Sequence, residues 1–411
     1  MLTEVIDIDR VQRRLDELAE IGETDAGGVT RLAYTNEENA AFDYVREELP
    51  DEYVVREDAI GNLFATREPD ADQSIYLGSH LDSVYNGGRL DGALGVVVAM
   101  EAIESAYRVG DPPVAPTLVL LRGEESARFG QHTIGSRGAL GMLTGEALSS
   151  TDDGGVPIWL AMQQAGFAPE NLADPTIDLA TVAGFLELHI EQGRVLDQSR
   201  DEKIGVVTSI RAPVRYELTV EGDDDHSGAT PMGLRRDALA GAGEMITTIE
   251  TVGTEASADG DIVATVGDIT AHEGAINKVC GKVRFPLDLR SNDARFRSEV
   301  ERRLVDELEA IADRRAIDLE MDLINRSEPV ELDDEAVDYL RAGAEDAEVP
   351  YRLLPSGGGH DAMNFQLAGV TAGMVFVPST EGISHNPAEA TNLDAVEDAI
   401  EIMARAVLAW Q

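Results

Sequence analysis

"SIYLGSHLDSVYNGGRLDGALGVVVAM", residues 74–100, decides the fold. An apolar run of strand type over 74–80 meets a polar, glycine-rich loop, and a helical pattern then occupies 91–108. The alternation continues in both directions. "TLVLLRG" (117–123) reads as a strand, helical material follows near 136–147 and 155–166, and "GFLELHI" (184–190) reads as another strand. Toward the end come a helix near 334–346, the strand "AGMVFV" (372–377) and a closing helix from 392. Strands alternating with helices predict an α/β fold, an open sheet with covered faces.

Between these halves the texture changes. From 213 the order is strand "VRYELTV", helix 234–252, strands "DIVATVGDI" and "KVRFPLDLR", helix 294–313 and strand "AIDLEMDLI". That βαββαβ order is ferredoxin-like. It predicts an α+β domain over 213–328 inserted into a first domain formed by 1–212 and 329–411.

The 411-residue chain carries 78 Asp plus Glu against 33 Lys plus Arg, a formal net charge of -45, and its only lysines are Lys203, Lys278 and Lys282. The excess is spread along the chain. Concentrated salt screens the self-repulsion of such a surface, so a halophile's protein is expected. A nucleic-acid partner needs a basic stripe, and there is none. The N-terminal segment is acidic and amphipathic, unlike a secretory signal, and no apolar run approaches a membrane span. A soluble, cytoplasmic protein is expected. The single cysteine, Cys280, reads as a small core residue.

The strand ends carry the chemistry. His80 and Asp82 end the first run, and their spacing of two puts them on one face of an extended chain. Asp91 opens the following helix, Glu124 and Glu125 follow the second strand, His189, Glu191 and Gln192 follow the third, and His385 lies beyond the last. In open α/β sheets the ligand crevice lies outside the carboxyl ends of the strands. Taken singly, each group has an ordinary explanation: a structural histidine, a helix N-cap at Asp91, surface acids in an acidic chain. Together, three of only seven histidines with several carboxylates and no thiol suit a divalent ion such as zinc, manganese or cobalt. His132 and His272 match no motif and read as structural or solvent-exposed.

The segments "GSHLDSVYNGGRLDGALGV", "RGEESARFG", "HIEQG", "DDDHSGATPM", "INKVCGKVRFPLDLR", "SGGGHDA" and "SHNPAE" resemble, in order, those of the M20 zinc-dependent metallohydrolases. The resembling branch holds N-carbamoyl-L-amino acid hydrolase, β-ureidopropionase and allantoate amidohydrolase. The resemblance implies a zinc-peptidase-like catalytic domain, a mixed sheet flanked by helices, with the insert as a lid and dimerisation domain. It implies two divalent ions per subunit, most simply zinc. Asp91 would bridge them, His80 and His189 would serve one, and Glu125 and His385 the other. Asp82 would orient the His80 ring, and Glu124 would be the general acid/base. His226 and Asn277 would hold the developing oxyanion, and Arg290 would clamp the substrate's carboxylate. Gln192 and the Gly359–His360 loop would complete the pocket.

The expected partners are a small ureido or carbamoyl acid and a second copy of the chain, with His226 acting within its own subunit or across to the other. The histidine at position 189 favours ureido amidohydrolases over M20 peptidases, which usually place an acid there. Allantoate amidohydrolase and β-ureidopropionase activities, an aminoacylase or dipeptidase, and a non-catalytic binding protein are the alternatives.

Overall fold

The structure, a computed structural model, describes residues 2–172 and 175–411. The chain forms two compact units, Met1–Thr208 with Glu331–Gln411, and Ser209–Val330.

In the first unit, helices α1 (Ile8–Glu20) and α2 (Asn36–Glu48) precede strands β1 (Val54–Glu57), β2 (Leu63–Thr66) and β3 (Ser74–His80). Then come α3 (Ala93–Val109), β4 (Ala115–Leu121), α4 (Ile134–Ala139), α5 (Gly145–Leu148), α6 (Ile158–Gln164), β5 (Val182–Ile190), α7 (Val195–Gln198) and β6 (Ile204–Ile210). The helix expected near 136–147 is two short ones, interrupted where Gly141 takes a φ of 71°, a left-handed conformation that favours glycine.

The second unit holds β7 (Ala212–Glu221), β8 (Asp225–His226), α8 (Ala238–Ala256), β9 (Val263–Thr265), β10 (Thr270–Ala271), β11 (Lys278–Val279), β12 (Lys282–Ser291), α9 (Ala294–Arg315) and β13 (Asp318–Arg326). Its sheet runs β10-β12-β7-β13, with β9 also paired to β12, while β8 and β11 form a separate two-stranded piece. The strand expected over 261–269 is limited to Val263–Thr265. Alternate residues of β7 and β12, among them Leu218, Val220, Phe285 and Leu287, face Met245 and Ile249 of α8 and Leu304 and Leu308 of α9 in one core. Cys280 is buried in that core.

Returning to the first unit, the chain forms β14 (Val330–Glu331), α10 (Asp334–Asp346), β15 (Tyr351–Ser356), α11 (Asp361–Leu367), β16 (Ala372–Val377) and α12 (Leu393–Ala409). The large sheet has the order β1-β2-β4-β3-β5-β16-β6-β14, with β15 also on β6. Its centre, β4-β3-β5-β16, is parallel, and the pairs β2–β4 and β16–β6 are antiparallel. Every residue of β4 and β16 is buried, as expected of parallel strands covered on both faces. Helix α3 packs on β3, β4 and β5, and α12 packs on α3 and α10. Because the four central strands run the same way, residues just past their carboxyl ends collect along one edge.

Candidate active site

Asp91 is the centre of that edge. Its Oδ1 lies 3.0 Å from His189 Nε2 and 3.8 Å from His80 Nε2, while its Oδ2 lies 3.3 Å from His385 Nε2. His385 Nε2 is also 3.0 Å from Glu125 Oε1. Two groups of potential metal ligands therefore share one carboxylate: His80, Asp91 and His189, all buried, and Asp91, Glu125 and His385, which open toward solvent.

The histidine rings are set for ligation by their far nitrogens. His80 Nδ1 is 3.0 Å from the Asp82 carbonyl oxygen and His189 Nδ1 is 2.9 Å from the Ile190 carbonyl oxygen. A carbonyl can only accept, so each Nδ1 carries its proton and each Nε2 is the atom left to bind. His80 Nε2, His189 Nε2 and Asp91 Oδ1 are all buried without a hydrogen-bonded partner, the 3.0 Å approach of the last two lacking bonding geometry. Buried polar atoms are rarely left orphaned. Three of them converging from two imidazoles and a carboxylate fit a divalent cation.

Electrostatics agree. Burial alone would lower the His80 pKa, yet Asp82, Glu124 and Asp91 together hold it well above the ordinary imidazole value. Burial would raise Asp91, but His189, His385 and His80 hold it well below the usual carboxylate range. Hydrogen bonds to Asp91 and Glu125 lift His385 to about 10 against partial burial. The carboxylates favour positive charge here, which a bound divalent cation would supply.

Local backbone serves this geometry. Gly92, directly after Asp91, has a φ of 68°, and a Cβ there would lie 2.4 Å from His80 Cε1. Two non-glycine residues of the site, Gln192 (φ 58°) and His385 (φ 54°), also lie in the left-handed region. Such strain persists only where surrounding contacts impose it. Gln192 is held by its N–H donating to Ser379 Oγ (2.9 Å) and its Nε2 donating to Asp91 Oδ2 (2.9 Å). Ser384 Oγ, next to His385, donates to the same Oδ2 at 3.0 Å.

Asp82 makes two sets of contacts. The His80 ring is closer to the Asp82 carbonyl than to its carboxylate, which stands 3.4 Å away. The carboxylate oxygens also accept the N–H groups of Glu124 and Glu125, each at 2.9 Å. Thr133 N–H donates to the Glu124 carbonyl at 2.8 Å, closing the turn from its other side. Glu124 is buried, with Oε2 3.8 Å from His80 Nε2. Burial pushes its carboxyl well above the ordinary range, with His80 opposing and Glu125 reinforcing the shift.

The other expected residues fall in two places. His360 is buried beside His189, its ring centroid 4.5 Å away, and its Nε2 pairs with Ser356 Oγ at 2.9 Å. Burial, with His189 adding to it, holds His360 well below the ordinary value, hence neutral. Gly359 is exposed beside it, and Glu191 uses its carboxylate on the N–H groups of Val195 and Leu196. His226, Asn277 and Arg290 belong to the second unit. His226 lies on β8 and Asn277 directly precedes β11, and there Ser227 N–H donates to the Asn277 carbonyl at 3.0 Å. His226 Nδ1 accepts two N–H groups, from Gly228 and Ala229 (3.1 Å each), so a neutral ring keeps its proton on Nε2 as a donor. Arg290 donates from Nε and Nη2 to the Asp288 carboxylate, both at 2.9 Å. His132 is exposed and His272 half-buried.

Sequence reasoning passed over Ser379, Ser384 and Glu389. Ser384 and Glu389 lie inside the "SHNPAE" segment, which was the available signal.

A shared carboxylate between two ligand groups, at the carboxyl edge of an α/β sheet, defines a candidate dinuclear metal site. The chain belongs to peptidase family M20/M25/M40, whose model matches residues 76–409. It is 38% identical to an N-carbamoyl-L-amino acid amidohydrolase of Geobacillus stearothermophilus over 98% of each chain. It is 34% identical, again over 98% of each, to the allantoate amidohydrolase of Escherichia coli K12. A crystal structure of a hydantoinase/carbamoylase-family amidase from Burkholderia multivorans matches with a TM-score of 0.90 at 32% identity, covering 98% of each chain.

Proposed function

We propose that the protein hydrolyses the linear ureido C–N bond of an N-carbamoyl-L-amino acid, releasing the amino acid, CO2 and ammonia. The observation that carries this is Asp91, whose two oxygens face two separate ligand groups while Glu124 stands beside them without joining either. The full-length relatives, amidohydrolases of carbamoyl amino acids and of allantoate, support the linear-amide class, and allantoate or 3-ureidopropionate is the alternative substrate.

His80 and His189 would hold one ion, Glu125 and His385 the other, with Asp91 shared between them; zinc suits this donor set, with manganese or cobalt as substitutes. When bound, the ions acidify a water and polarise the scissile carbonyl. Glu124 takes the proton of the attacking water and returns it to the leaving nitrogen. Its raised affinity for protons, in a buried pocket, suits both halves of that transfer. Gln192, Gly359 and His360 line the substrate pocket. His226 Nε2–H and Asn277 donate to the developing oxyanion, and Arg290 clamps the substrate's carboxylate. In this reading the inserted domain, 213–328, is the lid and the contact surface of a homodimer.

The test is ammonia release by metal-loaded protein from an N-carbamoyl-L-amino acid, allantoate and 3-ureidopropionate. A dipeptide and an N-acetyl amino acid are followed by amine release. Metal-dependent turnover of a ureido compound is expected. Cleavage of only the dipeptide or acetyl substrate would make this a peptidase or acylase.

We further propose a salt-rich cytoplasm as the working environment. At a net charge of -45, self-repulsion is long-ranged in dilute buffer; the Debye length falls from ~10 Å at 0.1 M to ~3 Å at 1 M salt. The melting temperature should therefore rise between low and molar KCl, and a flat profile would remove the halophile assignment.

A further inference from the structure

The end of the "SHNPAE" segment has no place in the chemistry above, yet Glu389 is buried at the site's edge. Its Oε2 accepts the N–H groups of Leu90 (2.7 Å) and Asp91 (3.0 Å), residues nearly three hundred positions away in the chain. Its own N–H donates to the Asn386 carbonyl at 3.0 Å, so Glu389 and His385 ride on one tight turn. The carboxylate thus ties the segment bearing Asp91 to the loop bearing His385.

Two further features show that the place is made for this side chain. Helix α3 begins just after Asp91, and its N-cap, Gly92, has no side chain to accept an amide. The Leu90 and Asp91 N–H groups lie just before that cap, outside the helix's own bonding, and a buried N–H needs an acceptor. Gly88 closes over the carboxylate: a Cβ there would stand 2.1 Å from Glu389 Oε2. The loop admits Glu389 only because position 88 carries no side chain.

We propose that Glu389 is a positioning residue that sets the distance between Asp91 and His385, and with it the integrity of the more open ligand group, Asp91–Glu125–His385. This rests on the two-ion reading above. His80 and His189 are placed independently, by the ends of β3 and β5 and by carbonyl bonds to their own segments. Asp91 belongs to both groups, but the buried one keeps its two fixed histidines. The open one depends on Glu389 for the His385 loop as well, so loss of Glu389 should weaken the open ion selectively.

The experiment is metal titration of the apo-protein by calorimetry, with metal content after dialysis, for wild type, Glu389→Ala, Glu389→Gln and Gly88→Ala. Wild type should bind two ions per chain. Glu389→Ala should keep one at wild-type affinity and hold the second at least about tenfold more weakly, the step that 1.4 kcal/mol represents. Glu389→Gln retains a carbonyl oxygen that can accept both amides, and it should recover most of that loss. Gly88→Ala leaves Glu389 in the chain but forces its carboxylate away, and it should reproduce the one-ion defect. This second route keeps the test informative if Glu389→Ala fails to fold. In the loaded enzyme the defect should appear in kcat, with KM little changed. Two ions at unchanged affinity in both Glu389→Ala and Gly88→Ala would overturn the role of Glu389 while leaving the two-ion reading intact. Equal weakening of both ions would likewise overturn it. A wild type that binds fewer than two ions would instead overturn the two-ion reading itself.

Discussion

Glu124→Gln is expected to lower kcat by about 10²–10⁴-fold, the usual contribution of a positioned general acid/base. The expectation comes from how little else the change should disturb. Glutamine has the same shape, and the backbone at this position is fixed by bonds that do not involve the side chain. Asp82 accepts the Glu124 N–H and Thr133 donates to its carbonyl. Metal content and melting temperature should hold, and KM should change little, because the lost step is proton transfer and not binding. Glu125→Gln supplies the contrast, since its Oε1 faces His385 and its loss should empty the more open ion position. Retained kcat in Glu124→Gln would remove the acid/base assignment. Loss of an ion would make Glu124 a ligand instead.

The parts of this site that sequence made visible share one property: they follow strands buried on both faces. Such strands read as unbroken apolar runs, as in β3, β4 and β16, so the polar residue that ends each run stands out. Histidine helped because the chain has only seven. The antiparallel margins of the same sheet were harder to read. β1 and β2 are four residues each, and β1 is mostly exposed, so no periodicity develops over so short a span. β6 and β15 went unread as well.

Carboxylates were the least legible groups, for a chemical reason. Among 78 acids, a buried carboxylate that accepts backbone amides looks in sequence like any surface acid. Glu389 on Leu90 and Asp91, and Glu187 on the Ala362 N–H, both do this work, and each joins segments distant in the chain. Only tertiary placement distinguishes them. The same is true of Glu38, which the sequence presents as one acid in the run "NEEN".

Glu38 and Arg122 form another such contact, buried at both ends, and breaking it should give a large stability loss. Glu38 is 0% and Arg122 2% exposed, with Arg122 Nη1 2.8 Å from Glu38 Oε2. The guanidinium also donates to Asn39 Oδ1 and to the Gly61 carbonyl, and its carbon sits 3.8 Å from the ring centre of Phe42. Glu38 accepts the N–H groups of Tyr34 (2.6 Å) and Gly123 (3.2 Å), the second directly before Glu124. Removing one partner strands the other charge away from water, so Glu38→Ala or Arg122→Met should each cost about 3–5 kcal/mol in urea or guanidinium unfolding. The pair itself is not a large net stabiliser. Burial, with the Asp82 charge adding to it, raises the Glu38 pKa against the opposing Arg122, and taking two charges out of water costs much of what their attraction returns. The double variant Glu38→Leu/Arg122→Met should therefore be destabilised by less than the sum of the single changes, the remainder coming from the unpaired Tyr34 and Gly123 amides at roughly 1–3 kcal/mol each. Additive losses would mean that the two side chains act separately. A double variant that regains stability but not kcat would place the value of the pair in holding the Gly123–Glu124 turn, where a displacement of about 1 Å is enough to cost about 10²-fold in rate.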